Sequence, residues 1–189
     1  MARKPGPGLN AEQVLHQAAA LVDDEGWEQL SLARLAERLT IRTPSLYNHI
    51  TSLDGLRRDL RVLGARELTA RLARAAQGKS GAEAIYAIGA AYRAYAHEHP
   101  GLYAAALRAA DPDDSEFQAI AREAVELLMA LLRPFGLTDE AALHAVRGLR
   151  SLAHGFVSLE AVGGFGLPLN LDETYRRLLR MFIVGLEGD

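Results

Sequence analysis

The sequence predicts an all-α protein of about nine helices, and three observations carry that prediction. Hydrophobic residues make up 49% of the 189 residues but aromatics only 6%, so the core is largely Ala, Leu and Val, a mixture that favours helix over strand. Apolar residues recur at helical spacing in segments bounded by Gly, Pro or capping residues. No stretch alternates over strand length.

Met1 to Leu9 holds two prolines, two glycines, Arg3 and Lys4, and reads as a mobile arm. Asn10 caps the first helix, Val14, Ala18, Leu21 and Val22 form its buried stripe, and Gly26 ends it. Trp27 is expected to pack between this helix and the next pair. Ser31 caps a second helix with Leu32, Leu35, Ala36 and Leu39 on one face. Thr43 is placed as the cap of a third, Pro44 to His49, with Pro44 at its first helical position. Ser52 caps a long fourth helix, with leucines from Leu56 to Leu72 at helical spacing and Gly64 as a hinge or a close contact. A break runs from Gln77 to Gly81. Beyond it the spacing predicts helices over about Ala82–His97, Leu102–Ala110, Asp114–Arg133, Asp139–Leu159 and Leu171–Leu186, with Asp113 or Asp114, Thr138 and Asn170 as caps.

Residues Leu32 to Asp54 organise the chain. Only Thr40-Ile41-Arg42 separates the second and third helices, so they must cross steeply, as in a helix-turn-helix. The third helix is too short to build a core. Thr43, Ser45, Tyr47, Asn48 and His49 supply what a major-groove helix needs, donors and acceptors for base edges and phosphates.

This stretch resembles the DNA-binding domain of TetR-type (TetR/AcrR) transcriptional regulators. The matching residues are Leu32, Leu35-Ala36, Leu39, Pro44, Leu46-Tyr47, His49 and Leu56, and the likeness reaches back through Ala18-Ala19, Leu21 and Gly26. The resemblance implies a three-helix domain over residues 1–54 and a ligand-binding and dimerisation domain over 55–189. It implies DNA contacts from Thr43, Pro44, Ser45, Tyr47, Asn48 and His49, with Arg34 and Arg42 flanking them. Tyr47 and His49 are expected on phosphates; Thr43, Ser45 and Asn48 on base edges. Three departures stand out: Thr40 where the family usually has Gly, Leu53 where it usually has Lys, with Arg57 or Arg58 as substitutes, and an offset basic residue early in the first helix of the pair, where Arg34 is the nearest. Residues from Ser151 through His154-Gly155 to Phe165 resemble a TetR C-terminal domain type named for a Trp, His-Gly signature, without the Trp. The His154-Gly155 pair implies tight helix packing with the imidazole bonded inside.

The resemblance also implies a ligand pocket in the body. Tyr86, Tyr92, Tyr95, Tyr103, Phe117, Met129 and Phe156 are apolar candidates, and His97, His99, His144 and His154 polar anchors. The last two helices carry wide apolar faces, and Leu149, Leu152, Phe156, Leu178, Leu179 and Phe182 are the expected interface of a two-fold homodimer.

Charge alone points away from nucleic acid, since the net charge is −3 and acidic residues outnumber basic ones in the first sixty. Local distribution on one face decides phosphate contact instead. The absence of cysteine excludes disulfides and fits a reducing compartment. Nothing fixes a metal-ligand set around His97 and His99, and no cofactor is implied. No phosphate-cradling loop and no Ser-His-Asp grouping supports an enzyme. The start lacks an apolar signal core, and the longest apolar run, Leu127 to Leu132, cannot span a bilayer, so a cytoplasmic protein is expected. The expectation is a dimeric repressor on a near-palindromic operator in double-stranded DNA, released by a small apolar or amphipathic molecule. The alternative is an all-α ligand-binding or enzymatic protein with an incidental helix pair.

Overall fold

The computed structural model describes residues 9–108 and 111–187. Residues 1–8 of the expected arm, and Ala110 at the end of the sixth expected segment, lie outside the described residues. Among the described residues there are nine α-helices, two short 3-10 turns and no strand. The helices are α1 Ala11–Glu25, α2 Leu32–Arg38, α3 Thr43–Leu46, α4 Leu53–Ala76, α5 Gly81–Glu98, α6 Pro100–Ala106, α7 Ser115–Leu132, α8 Asp139–Ala161 and α9 Leu171–Glu187. The chain divides into two compact units. One holds the chain up to Ala65 with His99–Phe117; the other holds Arg66–Glu98 and the chain from Gln118 onward. The expected head, ending at Asp54, lies wholly in the first unit, which also takes in the start of α4 and all of α6.

The starts of the helices are set by side chains. Asn10 and Gln13 form a reciprocal capping box at α1, with bonds of 2.8 and 3.0 Å. Ser31, Ser52, Asp114, Thr138 and Asn170 each accept the expected backbone N–H at the start of α2, α4, α7, α8 and α9. Thr43 is a correction. The cap of α3 is Arg42, in extended backbone without a side-chain bond, and Thr43 is already helical. The helix is also shorter than expected. After Leu46 the N–H groups of Tyr47, Asn48 and His49 reach back three residues rather than four, because the chain tightens before restarting at Ser52.

In the first unit, α6 packs against α1 and α4 with backbone almost touching backbone. A Cβ on Gly101 would lie 2.1 Å from the Val22 carbonyl oxygen, and one on Gly64 would lie 2.5 Å from that of Leu102. Gly64 is therefore a close contact, not a hinge. Asp23, in the last turn of α1, takes the N–H groups of Gly101 and Leu102 at 2.8 and 2.9 Å and His99 Nδ1 at 3.0 Å. It satisfies donors at the start of α6 that His99 leaves open. Trp27 is buried, with the Arg108 guanidinium 5.3 Å from its ring centre.

In the second unit α5 is the centre, with α8 and α9 packed on it and on each other. The Leu179 side chain fills the space where Gly89 lacks a Cβ, which would sit 2.7 Å away. The Tyr175 hydroxyl donates to the Gly89 carbonyl at 3.0 Å, and burial pushes the phenol pKa up. The close packing expected at His154-Gly155 is not made within the protomer. Gly155 is exposed with no atom near its missing Cβ, and His154 Nδ1 meets Ser158 of the same helix at 3.3 Å. Gly155 therefore makes no close helix contact within the protomer.

Candidate nucleic-acid interface and regulatory cleft

The two-helix motif is anchored by Leu35, Ala36 and Leu46, which are buried. Its turn ends α2 with two bonds, Thr40 N–H to the Glu37 carbonyl and Ile41 N–H to the Ala36 carbonyl, both 2.9 Å. That pairing is a Schellman motif and demands a left-handed residue at position 40. Thr40 adopts it at φ 57° and is the one non-glycine residue with positive φ among the described residues. A β-branched side chain there costs about 1–2 kcal/mol.

With its apolar side held down, the motif turns its polar side outward. Arg42, Pro44, Tyr47 and Asn48 are exposed, and Thr43, Ser45 and His49 half-buried. Tyr47, at 57% exposure, is the large apolar ring the first unit leaves in solvent. The expected DNA-contact residues of α3 and the turn after it therefore share one open surface.

The arginines around this surface differ. Arg34 pairs with Glu25, and Arg38 with Asp24 at 2.7 Å. Arg58 is locked. It gives Asp114 two bonds of 2.8 Å and Glu116 one, which holds the Asp114 carboxyl below its ordinary pKa. Arg57 has only a 3.4 Å approach to the exposed Asp54, and Arg42 makes no ion pair among the described residues. Of the two arginines at the start of α4, Arg58 is thus committed to Asp114 and Glu116, and Arg57 is not. Glu25, Asp24 and Asp114 are each held by an arginine on the flanks of the motif.

The second unit holds its own polar centre. Arg93 on α5 binds both carboxylate oxygens of Glu160 on α8, at 2.8 and 2.6 Å, and one oxygen of Asp172 on α9, at 2.7 Å. Its guanidinium lies 5.5 Å from the ring centres of both Phe156 and Tyr175. His97 Nε2 meets Glu160 at 2.8 Å. Hydrogen bonds from Arg93, then His97, hold the Glu160 carboxyl below its ordinary pKa, and the guanidinium rises in turn. Beside this cluster a cleft of about 560 Å³ opens between α5 and α9.

The expected pocket residues do not converge. Tyr86 lines the α5–α9 cleft. Tyr92, Tyr95 and Phe156 are core, and the Tyr95 hydroxyl donates to Glu67 at 3.3 Å. Met129 lines a separate cleft of about 390 Å³ between α7 and α8. His154 lies on α8 beside Ser158, and Tyr103 and Phe117 belong to the first unit. Of the histidine anchors, His97 lines the cleft, His99 binds Asp23 and His144 is exposed. Sequence reasoning missed Arg93 and Asp172. Their signal was a lone arginine among the tyrosines of α5 and an acidic first turn of α9.

The expected interface residues also split. Leu149, Phe156 and Leu179 are buried in the protomer's own core, a use of their apolar surface that the periodicity could not distinguish from pairing. Leu152, Leu178 and Phe182 are half-buried, and Leu159, Met181 and Val184 on the same helices are exposed.

A helix-turn-helix on an open polar surface, joined to a larger all-helical unit, defines the class of a helix-turn-helix transcriptional regulator. Similarity to known proteins gives the family. Residues 85–182 match the family described as tetracyclin repressor-like, C-terminal domain. The chain is 35% identical to the HTH-type transcriptional regulator Rv0681 of Mycobacterium tuberculosis, over 95% of this chain and 82% of that one. It is 36% identical to the regulator YobS of Bacillus subtilis, over 96% and 95%. This chain belongs to the TetR family of transcriptional regulators. The fold agrees: a protein of unknown function from Rhodococcus sp. RHA1 superposes with a TM-score of 0.82 at 22% identity, covering 98% of this chain and all of that one. A TetR variant of Acinetobacter baumannii in complex with minocycline gives 0.69 at 22%, covering 95% and 97%. No helix among the described residues is long and apolar enough to cross a membrane.

Proposed function

We propose that this regulator is a homodimeric repressor whose two α3 surfaces read a short near-palindromic operator, and that a small amphipathic molecule in the second unit releases it. The observation that carries the reading is the exposed surface of Arg42, Pro44, Tyr47 and Asn48 on a motif anchored by the buried Leu35, Ala36 and Leu46. Tyr47, His49 and Arg42 are assigned to phosphates, and Thr43, Ser45 and Asn48 to base edges.

Dimerisation is supported by two apolar stripes with an open glycine in each. Leu152, Gly155 and Leu159 recur on α8; Leu178, Phe182 and Gly185 recur on α9. Nothing lies within 4 Å of a Cβ at either glycine, so a second copy can approach both helices closely. Release requires the effector to bind more tightly to a state whose two heads fit the operator poorly. The minocycline complex of the Acinetobacter relative supports a small-molecule effector.

Two substitutions test the assignment. Tyr47→Ala is expected to weaken binding to every sequence about tenfold, while Asn48→Ala is expected to relax preference at one operator position by about 1–3 kcal/mol. Unchanged affinity after Tyr47→Ala would remove the α3 surface from the contact. Light scattering of a Leu152→Glu, Phe182→Glu chain is expected to report monomers; a persistent dimer would place the interface elsewhere.

A further inference from the structure

The α5–α9 cleft has an apolar floor of Ala90, Ala94 and Leu179, with Tyr86 at one side and a donor-rich wall. A guanidinium carries five N–H groups. Arg93 spends three of them, two on Glu160 and one on Asp172. Glu160 is shared with His97, and a single carboxylate, Glu173, serves both Arg176 and Arg177. Glu98, also in the wall, has both oxygens on Arg71. Among the wall carboxylates Asp172 alone is held by one bond, and its side chain is 83% exposed.

The Asp172 contact decides the charge a ligand can carry. A cation here could share Asp172 only through its second oxygen, with the guanidinium groups of Arg93 and Arg176 lining the same cleft and repelling it. An anion taking the place of Asp172 would leave an exposed carboxylate in water and keep Arg93 satisfied. Exposed ion pairs of the Asp172 kind contribute little, so the exchange is easy.

We propose that this cleft binds an amphipathic organic carboxylate. The acid group replaces Asp172 on Arg93 Nη1 with Arg176 beside it, and the hydrocarbon lies over Ala90, Ala94, Leu179 and Tyr86. The cleft volume of about 560 Å³ suits a molecule of that size. Asp172 is thus a built-in surrogate for the ligand's carboxylate. The proposal deepens, and rests on, the reading of the second unit as an effector-binding module.

Isothermal titration of the full chain with octanoate, octylamine and octan-1-ol tests it. Octanoate is expected to bind about tenfold more tightly than either of the others. Asp172→Asn removes the competing charge and is expected to tighten octanoate about fivefold; Arg176→Gln is expected to loosen it about threefold. Both positions are exposed, so the variants keep the fold. Octylamine or octanol binding as tightly as octanoate would overturn the proposal, as would an Asp172→Asn chain no tighter than the parent. A parallel DNA-binding measurement separates this proposal from the one it rests on. Octanoate that binds with these preferences but leaves DNA affinity intact supports the site and refutes release. DNA release by an uncharged compound, with no octanoate binding, refutes the site and keeps release.

Discussion

The two units use charge in opposite ways. In the first, carboxylates occupy the arginines on the flanks, Arg34, Arg38 and Arg58, while Arg42 beside α3 and Arg57 at the start of α4 remain available for phosphate. In the second, Glu160 binds one half-buried arginine with both oxygens and ties α5 to α8, while the exposed Asp172 reaches the same arginine from α9 with one. The first unit leaves two cations near α3 with little or no carboxylate contact, whereas the second commits its central one. The difference explains how a chain of net charge −3 can carry a face suited to DNA.

The largest expected effect breaks the first unit at its tightest point. Gly101→Ala drives a methyl into the Val22 carbonyl, and chemical denaturation is expected to show a loss of about 3 kcal/mol. Gly155→Ala on α8, where nothing is near, is expected to leave the stability of the isolated protomer unchanged or slightly raised. Equal losses at both sites would erase the distinction between a filled and an open helix face.

The second unit breaks at its charge cluster. Glu160→Gln strips Arg93 of its main partner and is expected to lower stability by about 2 kcal/mol, the figure for a buried pair reduced for partial exposure. Acid should act on the same groups. Glu160, held by Arg93 and then His97, lies below its ordinary 4.5. A lowered carboxyl gives stability that is full above its unfolded pKa and lost as pH falls through the folded one. The thermal midpoint is therefore expected to be level down to about pH 5 and to fall below it. A midpoint that rises on acidification would contradict the cluster.

Smaller effects probe the first unit more finely. Arg42→Ala is expected to reduce the slope of log affinity against log salt by about 1, while Arg34→Ala, whose guanidinium already has Glu25, is expected to change it less. Equal changes would mean that the pairs are broken on DNA as readily as they form. Thr40→Gly relieves the left-handed backbone and is expected to raise stability by about 1 kcal/mol, read by denaturant midpoint.

The same division governs what could be read from the sequence. The head was legible because its signals are local. Ser31, Asn10 and Ser52 cap the helices they begin, and Thr40 stands where the turn bonds require a left-handed residue. Thr43 misled by one position because Pro44 suits the first or second helical residue equally. The cleft was not legible, because Arg93 is separated from Glu160 and Asp172 by 67 and 79 residues and only folding brings them together. Leu149, Phe156 and Leu179 were expected at a dimer interface and lie in the protomer's own core, because apolar periodicity marks a covered face without saying what covers it.

The most direct test is selection of DNA by the full chain from a random pool, with titration of the winning sites against salt. The expected result is a two-fold symmetric site whose affinity falls steeply as salt rises and is lost in the Tyr47→Ala chain. Enrichment of asymmetric sites, or of none at low salt, would contradict the claim that paired α3 surfaces are what this protein presents to DNA.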